Sequence, residues 1–396
     1  MMKDYFRDWL EQASAQAIHL DGRFGYHRKK LLGSGAFGVV YQEPAGSGAE
    51  LVQKIHPITS RSLCRGRGIV PLDTVRFEDS PKHGRLVLNE DVTSDLFEKE
   101  LAPLRMAVAE YHTLRALKRV DYFPQVVEQQ WYSQMCNVVV ADREFFLLDG
   151  RLCARTIREK VLGVDLSTLL KTEGVHPLDV VKTAYDLTQA VQIMGAKGIT
   201  HRDIKPANVL YEKVITADGA TMPGYGCARL IDFGTALRDN LQSPPEADLD
   251  DIVRLFSGNQ DILGTPGYIA PEILLYSNGA TPYADRWSLG CLLYTLMTGD
   301  IPFQNNLKAA FYTDAQKSNL YDAMKEPGIY PHAFLDAVVG LFSLEPMERL
   351  LEPVLYESAN ILRGNHMMNY GVVHGADIST TQVMKTNVVS MVIPSS

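Results

Sequence analysis

The feature that most constrains this chain is a change of hydrophobic period near Gly163. From Tyr26 to Lys160 the apolar residues come in short runs broken by glycine, first in GYHRKKLLGSGAFGVVYQEPAGSGAELVQKI and later in QVVEQQWY, CNVVVA, REFFLL and LCARTIREKVLG. Short apolar runs bounded by turn residues read as β-strands, the first group as two or three antiparallel ones. A helical spacing intervenes after Phe97, through Leu101, Leu104, Val108, Tyr111, Leu114 and Leu117. Past Gly163 the period is mainly helical, in DLSTLLK and in LDVVKTAYDLTQAVQIMGAKG, which closes on Gly195 and Gly198. Strands first and helices second predict an α+β protein of two lobes, a small antiparallel sheet with one helix and a larger, mainly helical lobe. No internal repeat is evident.

Three segments stand outside this frame. Residues 4 to 20 pair Phe6 with Leu10 and Tyr5 with Trp9 between charged residues, which predicts an amphipathic helix packed on the first lobe; its polar face is not basic, as a membrane helix would require. Residues 56 to 95 lose periodicity and mix basic with acidic side chains, including RSLCRGRG at 61–68, as a long solvated insertion would. The tail after Arg349 has few charges and is expected to pack on the helical lobe. The predicted organisation is a helical extension over 1–25, a first lobe over 26–160 with its insertion at 56–95, a second lobe over 161–355 and a tail over 356–396. Insertion, N-terminal helix and tail are the surfaces left for a protein partner.

Composition serves to exclude. With 39 Lys and Arg against 47 Asp and Glu the net charge is −8, which argues against nucleic-acid binding driven by phosphate neutralisation. Five scattered cysteines (Cys64, Cys136, Cys153, Cys227, Cys291) form no CxxC pair, so neither a disulfide framework nor a zinc site is expected, and a reducing, cytoplasmic setting fits. The N-terminal MMKDYFRDWLEQ lacks the apolar core of a signal peptide. The most apolar stretch, Leu289 to Met297, falls well short of the ~20 residues of a transmembrane helix.

Two features of the first lobe carry chemistry. Gly33-Ser34-Gly35-Ala36-Phe37-Gly38-Val39-Val40 is a G-x-G-x-x-G-x-V run between a strand at Lys30–Leu32 and another at Val39–Gln42. Without Cβ atoms in the way, its backbone N–H groups can approach a polyphosphate; a purely structural hairpin would read the same. A strand rather than a helix comes after it, which disfavours a dinucleotide-binding βαβ unit. Lys54, in the strand LVQKI, is an isolated cation that either snorkels to solvent or points into a site needing positive charge.

The densest cluster is Ile199-Thr200-His201-Arg202-Asp203-Ile204-Lys205-Pro206-Ala207-Asn208. At about one in twenty per residue, chance agreement at His201, Arg202, Asp203, Lys205, Pro206 and Asn208 is about one in ten million or rarer per position. The segment resembles the catalytic loop of eukaryotic-type protein kinases. Further motifs come in that family's order: Asp232-Phe233-Gly234, then Gly264-Thr265-Pro266-Gly267-Tyr268-Ile269-Ala270-Pro271-Glu272, then Asp285-Arg286-Trp287-Ser288-Leu289-Gly290, and finally Leu344-Glu345-Pro346-Met347-Glu348-Arg349. The resemblance runs from about Tyr26 to Arg349 and implies a two-lobed protein-kinase-like fold acting on ATP with Mg²⁺.

The resemblance also implies roles. Gly33, Ser34, Gly35, Ala36, Phe37 and Gly38 would cover the phosphates, Val40 and Val52 would lie above the adenine, and Lys54 would hold the α- and β-phosphates, steadied by a helix glutamate. Glu110 is preferred because Leu114 and Leu117 stand at i+4 and i+7; Glu98 and Glu100 are its rivals. The hinge falls at Arg158-Glu159-Lys160-Val161 and Gly163-Val164-Asp165-Leu166, which puts Asp165 near the ribose and Arg158 beside the back of the adenine pocket. Asp203 would take the proton of the substrate hydroxyl, Lys205 would neutralise the transferred group, and Asn208 and Asp232 would hold Mg²⁺. Lys205-Pro206 and Thr265 resemble serine/threonine rather than tyrosine kinases, and Thr265 would bridge to Asp203.

Arg202 beside Asp203 implies an activation segment, 232–272, ordered by a negative charge. The position four before Thr265 is Asp261, one charge where a phosphate carries ~1.5–2, and it is expected to bias the active loop without locking it; Ser243 and Ser257 are alternative phosphorylation sites. Residues 235–261 hold six acids against two bases. A pseudokinase scaffold is the alternative reading, although Lys54, Asp203, Asn208 and Asp232 are all present.

Overall fold

The computed structural model describes residues 18–19, 31–35, 38–42, 51–57, 75–79, 84–88, 146–148 and 151–238, then 264–275, 281–303, 314–325 and 328–373, with 110, 113, 114, 116, 117, 122 and 123. Short alternating runs form the expected first sheet. Its order is β1-β7-β8-β4-β3-β2, built from β1 (Ile18–His19), β2 (Leu31–Gly35), β3 (Gly38–Gln42), β4 (Leu51–Pro57), β7 (Phe146–Leu148) and β8 (Arg151–Glu159). All neighbours are antiparallel except β1, which runs parallel to β7.

Three expectations need correction. Ile18 and His19 belong to a strand edge rather than to the helix expected over 4–20; the remainder of that helix lies outside the described residues. The insertion at 56–95 is not without structure, because β5 (Val75–Asp79) and β6 (Gly84–Leu88) pair as an antiparallel hairpin. Their period-two alternation, as in Val75-Arg76-Phe77-Glu78, is only five residues long and is obscured by the surrounding charges. The boundary drawn at 355 falls inside one helix, α7 (Glu352–Val373). Val354, Ser358 and Leu362 are buried along one face of it, the i, i+4, i+8 spacing that keeps a helix on a core.

The second part folds around α2 (Pro177–Ala196), which comes after β9 (Val164–Asp165) and α1 (Leu166–Thr172). His176 caps α2 through Nδ1, which accepts from Leu178 N at 3.2 Å, and Pro177 takes the first position, where no N–H is needed. Leu187, Val191 and Met194 of α2 join one core with Trp287, Leu292 and Leu293 of α4 (Pro282–Thr298) and Phe334 and Val338 of α6 (His332–Gly340). Trp287 stacks on Phe303 at 5.0 Å and meets Phe342 edge-on at 5.3 Å. The remaining helices are α3 (Pro271–Leu275) and α5 (Asp314–Lys325).

Two buried carboxylates on α2 position the hairpin that carries the site. Beyond the short strand β10 (Ile199–Thr200), β11 (Val209–Glu212) and β12 (Cys227–Leu230) pair antiparallel, Val209 opposite Leu230. Asp179 Oδ1 accepts from Tyr211 Oη at 2.6 Å and from Gly224 N at 2.8 Å, while Asp186 Oδ2 accepts from Ala228 N at 2.9 Å. Burial and the Asp179 carboxylate push the Tyr211 phenol far above its ordinary range, so it stays a donor. Both strands of the hairpin are thereby fixed against α2 at the closed end, where Tyr211 pairs with Ala228, in an interior where an unpaired polar group would be costly.

Candidate active site

The site grows from the open end of that hairpin. Asn208 immediately precedes β11, Asp232 comes two residues after β12, and Ile231 N donates to Asn208 O at 2.9 Å. The two hard-oxygen side chains the sequence singled out therefore leave the sheet side by side. Asp232 has φ 64° and Arg202 φ 68°, the only described non-glycine residues in the left-handed region. Such backbone costs ~1–3 kcal/mol and persists where the surroundings enforce it. Here Phe233 is wedged edge-on against His201 at 4.7 Å and Phe123 at 5.7 Å, and Arg202 Nε donates to Thr235 O.

The catalytic-loop residues converge on Asp203. Thr265 Oγ1 donates to Asp203 Oδ1 at 2.6 Å, and Lys205 Nζ bonds Asp203 Oδ2 at 2.8 Å and Thr265 Oγ1 at 2.6 Å. Asn208 Nδ2 donates to the backbone oxygen of Asp203 at 2.8 Å and to its Oδ2 at 2.9 Å. His201 is scaffold: Nε2 donates to Ile231 O at 3.1 Å, Nδ1 accepts from Asp203 N at 3.3 Å, and burial holds its pKa down so that the ring stays neutral. Thr265 reaches Asp203 because Gly264 has φ 137°, and a Cβ there would lie 2.9 Å from Arg202 O. No side chain fits such an approach.

Lys54 comes from the other lobe. Its Nζ lies 2.6 Å from Glu110 Oε2 and 2.6 Å from Asp232 Oδ1. Glu110 is helical, as are Thr113, Leu114 and Ala116, and Leu114 and Leu117 enter the core that contains Phe233. Glu110 is therefore the glutamate that meets Lys54, and its rivals Glu98 and Glu100 lie outside the described residues. Val40 is the register partner of Lys54 across β3 and β4, and Val52 is buried two positions before it. Gly33, Ser34, Gly35 and Gly38 form the β2–β3 hairpin; Ala36, Phe37 and Asp261 lie outside the described residues. Asp165 is engaged locally, capping α1 through Thr168 N at 2.9 Å and Thr168 Oγ1 at 2.7 Å.

Three contacts were not predicted from sequence. Asp285, in the first turn of α4, accepts from His201 N at 2.6 Å and Arg202 N at 2.9 Å. Arg349 forks onto Glu272 at 2.6 and 2.7 Å. Arg158 Nη1 meets Glu110 Oε1 at 2.5 Å. The residues of the first two contacts all stand in the recognised motifs, but nothing in a linear spacing says which of them touch.

Burial pushes the Asp285 carboxyl up to about 7 from 3.8. Between those values the folded state holds a proton that the unfolded chain has lost, so this group's contribution to stability declines as pH rises from about 4 to about 7. Asp285→Asn should remove the decline: from pH 5 to 7.5 the wild type should lose about 2–3 kcal/mol more in urea unfolding than the variant. Parallel pH profiles would contradict the assignment.

A small sheet and a helical lobe, with a lysine, two aspartates and an asparagine brought together between them, define the two-lobed fold class that the motifs predict. The protein kinase domain model matches residues 131–355, more than half of the sequence, and the chain belongs to that family. It is 32% identical over 198 residues to the serine/threonine-protein kinase RUNKEL of Arabidopsis thaliana (49% of this chain, 12% of that protein). It is 33% identical over 163 residues to the ovarian-specific serine/threonine-protein kinase Lok of Drosophila melanogaster (40% and 27%). It is 26% identical over 179 residues to serine/threonine-protein kinase 17A of Oryctolagus cuniculus (45% and 39%). The chain thus spans well under half the length of these relatives. The family match begins downstream of Lys54 and Glu110, which join the site through geometry. No helix among the described residues is long and apolar enough to cross a membrane.

Proposed function

We propose that the chain is a serine/threonine protein kinase that transfers the γ-phosphoryl group of ATP to Ser or Thr hydroxyls of protein substrates. The observation that carries this is the Asp203 carboxylate, held between the Thr265 hydroxyl and the Lys205 ammonium at 2.6 and 2.8 Å. An oriented carboxylate beside a cation suits a reaction that needs positioning and charge stabilisation more than covalent chemistry.

In this reading Asp203 takes the proton of the substrate hydroxyl as that oxygen bonds to the γ-phosphorus. The bond from the γ-phosphorus to the bridging oxygen breaks, and ADP leaves. Lys205 balances charge on the transferred group, and Thr265 keeps Asp203 aimed. Lys54 holds the α- and β-phosphates with Glu110 behind it, the β2–β3 turn covers them, Val40 and Val52 lie over the adenine, and Asp165 sets the ribose end through its cap.

Asn208 and Asp232 fit Mg²⁺. They offer an amide and a carboxylate oxygen at one hairpin end, and Asp232 keeps 31% of its side chain exposed. Mg²⁺ typically binds one or two such groups plus phosphates and water. When bound it supplies positive charge against the phosphate oxygens. The expected substrate is a protein, and the residue at the acceptor position is Ser or Thr because Lys205 and Thr265 match the serine/threonine pattern.

With Mg²⁺ and γ-labelled ATP, the full chain should label serine and threonine but not tyrosine in a mixed protein substrate. Phosphoamino-acid analysis showing only tyrosine, or no transfer at all, would sink this reading.

A further inference from the structure

Arg158 is a buried charge beside Lys54 and Glu110 that the proposed mechanism does not use. It sits one residue before the end of β8, in register with Val52 of β4, while Lys54 is in register with Thr156. Partners across a strand pair share a face, and so do alternate residues along a strand. Arg158 and Lys54 therefore project from neighbouring strands on the same side of the sheet. Only 8% of the Arg158 side chain is exposed, and its Nη1 is 2.5 Å from Glu110 Oε1. The other oxygen of that fully buried carboxylate, Oε2, takes Lys54 at 2.6 Å.

The two cations do not compete for Glu110, because each has its own oxygen. Arg158, Glu110, Lys54 and Asp232 alternate in sign and sum to zero, which is what makes four charges tolerable where solvent is scarce. An aliphatic side chain at 158 would fill the same place without the desolvation cost of a guanidinium, so the charge itself needs a use. A single ion pair would let the Glu110 helix pivot about one contact; two contacts, one on each of two paired strands, fix both its distance and its rotation.

We infer that Arg158 is a positioning residue that clamps Glu110 to the sheet independently of Lys54. This rests on the kinase reading above. Lys54 must divide its ammonium among Glu110, Asp232 and the incoming phosphates, so its hold on the helix weakens when substrate arrives. Arg158 meets no phosphate, and its bond to Glu110 persists through that exchange.

The test uses the full chain with a generic Ser/Thr protein substrate. Arg158→Met should lower kcat by about 10–100-fold, the usual scale for groups that orient active-site residues, with KM for ATP changed less than about threefold. Arg158→Lys should recover at least about a third of the wild-type kcat, a rescue that space-filling alone would not produce. A Met variant within about twofold of wild type, or a Lys variant as slow as the Met variant, overturns the clamp. If Arg158→Met fails to fold, Arg158→Gln against Arg158→Lys carries the same comparison.

Wild-type protein that transfers no phosphate would instead overturn the kinase reading. The clamp is then judged by a double-mutant cycle of Arg158→Met and Glu110→Gln in urea unfolding. Losses that are not additive support it, and strictly additive losses overturn it.

Discussion

Asp203→Asn is expected to remove nearly all phosphotransfer, with kcat falling by about 10²–10⁴-fold while the fold and ATP binding persist. The amide matches the carboxylate in size, and the surrounding bonds can be re-made. Its oxygen can face Lys205 Nζ and Asn208 Nδ2, both of which now bond Asp203 Oδ2, and its NH₂ can face Thr265 Oγ1, which now donates to Oδ1. That hydroxyl has lone pairs enough to accept instead. What the amide cannot do is take a proton, so the loss should appear in kcat and leave KM for ATP within about threefold. The measurement is steady-state kinetics beside calorimetric ATP titration; a loss of less than about tenfold would remove Asp203 from the role of base.

The largest effect on stability should come from Arg349→Met, at about 3–5 kcal/mol. Arg349 is fully buried, and four of the five N–H donors of its guanidinium are engaged: Nη1 and Nη2 reach the two Glu272 oxygens, Nε donates to Ser343 O at 2.8 Å, Nη1 to Tyr283 O at 3.1 Å, and the group lies 5.2 Å over the Trp287 ring. Removing it leaves the Glu272 carboxylate and two carbonyls without their donor in a protected site. Natural domains have only about 5–15 kcal/mol to lose. The double variant Arg349→Met/Glu272→Gln should be less destabilised than the sum of the singles, because breaking a buried pair costs more than deleting it whole. Urea midpoints decide it, and a loss below about 1 kcal/mol for Arg349→Met would contradict the burial argument.

Some of this was legible in the linear sequence, for a physical reason. The loop from His201 to Asn208 packs its chemistry into eight consecutive residues, and a chain that short has few ways to arrange them. Asp203, Lys205 and Asn208 are neighbours before any folding occurs. Helix α2 was visible through its period and closing glycines, although it runs through Gly195 to Ala196 and the left-handed residue is Gly198, φ 63°; α4 was marked only by the motif at Asp285–Gly290 that resembles the family's. The β5–β6 hairpin was missed because its strands are short and interleaved with charges, and α7 was cut at 355 because the last motif ends at Arg349, three residues before the helix begins at Glu352.

The long-range contacts were not legible. Glu110 is 56 positions from Lys54, Glu272 is 77 from Arg349, and Asp285 is 84 from His201. Spacing along the chain does not tell which elements will pack, and for Lys54 it left three glutamates in contention. By itself the sequence determined the α+β division, the sign of charge in the loops and the residues able to move a proton or meet a phosphate, because these depend on residue identity and near neighbours. Only the tertiary structure decided that Glu110 takes Lys54 on one oxygen and Arg158 on the other, that Asp285 holds the backbone of the catalytic loop, and that Arg349 closes on Glu272. Those pairings are set where burial strips water from charges, and there the partner within hydrogen-bond reach, rather than the nearest in sequence, determines the energy.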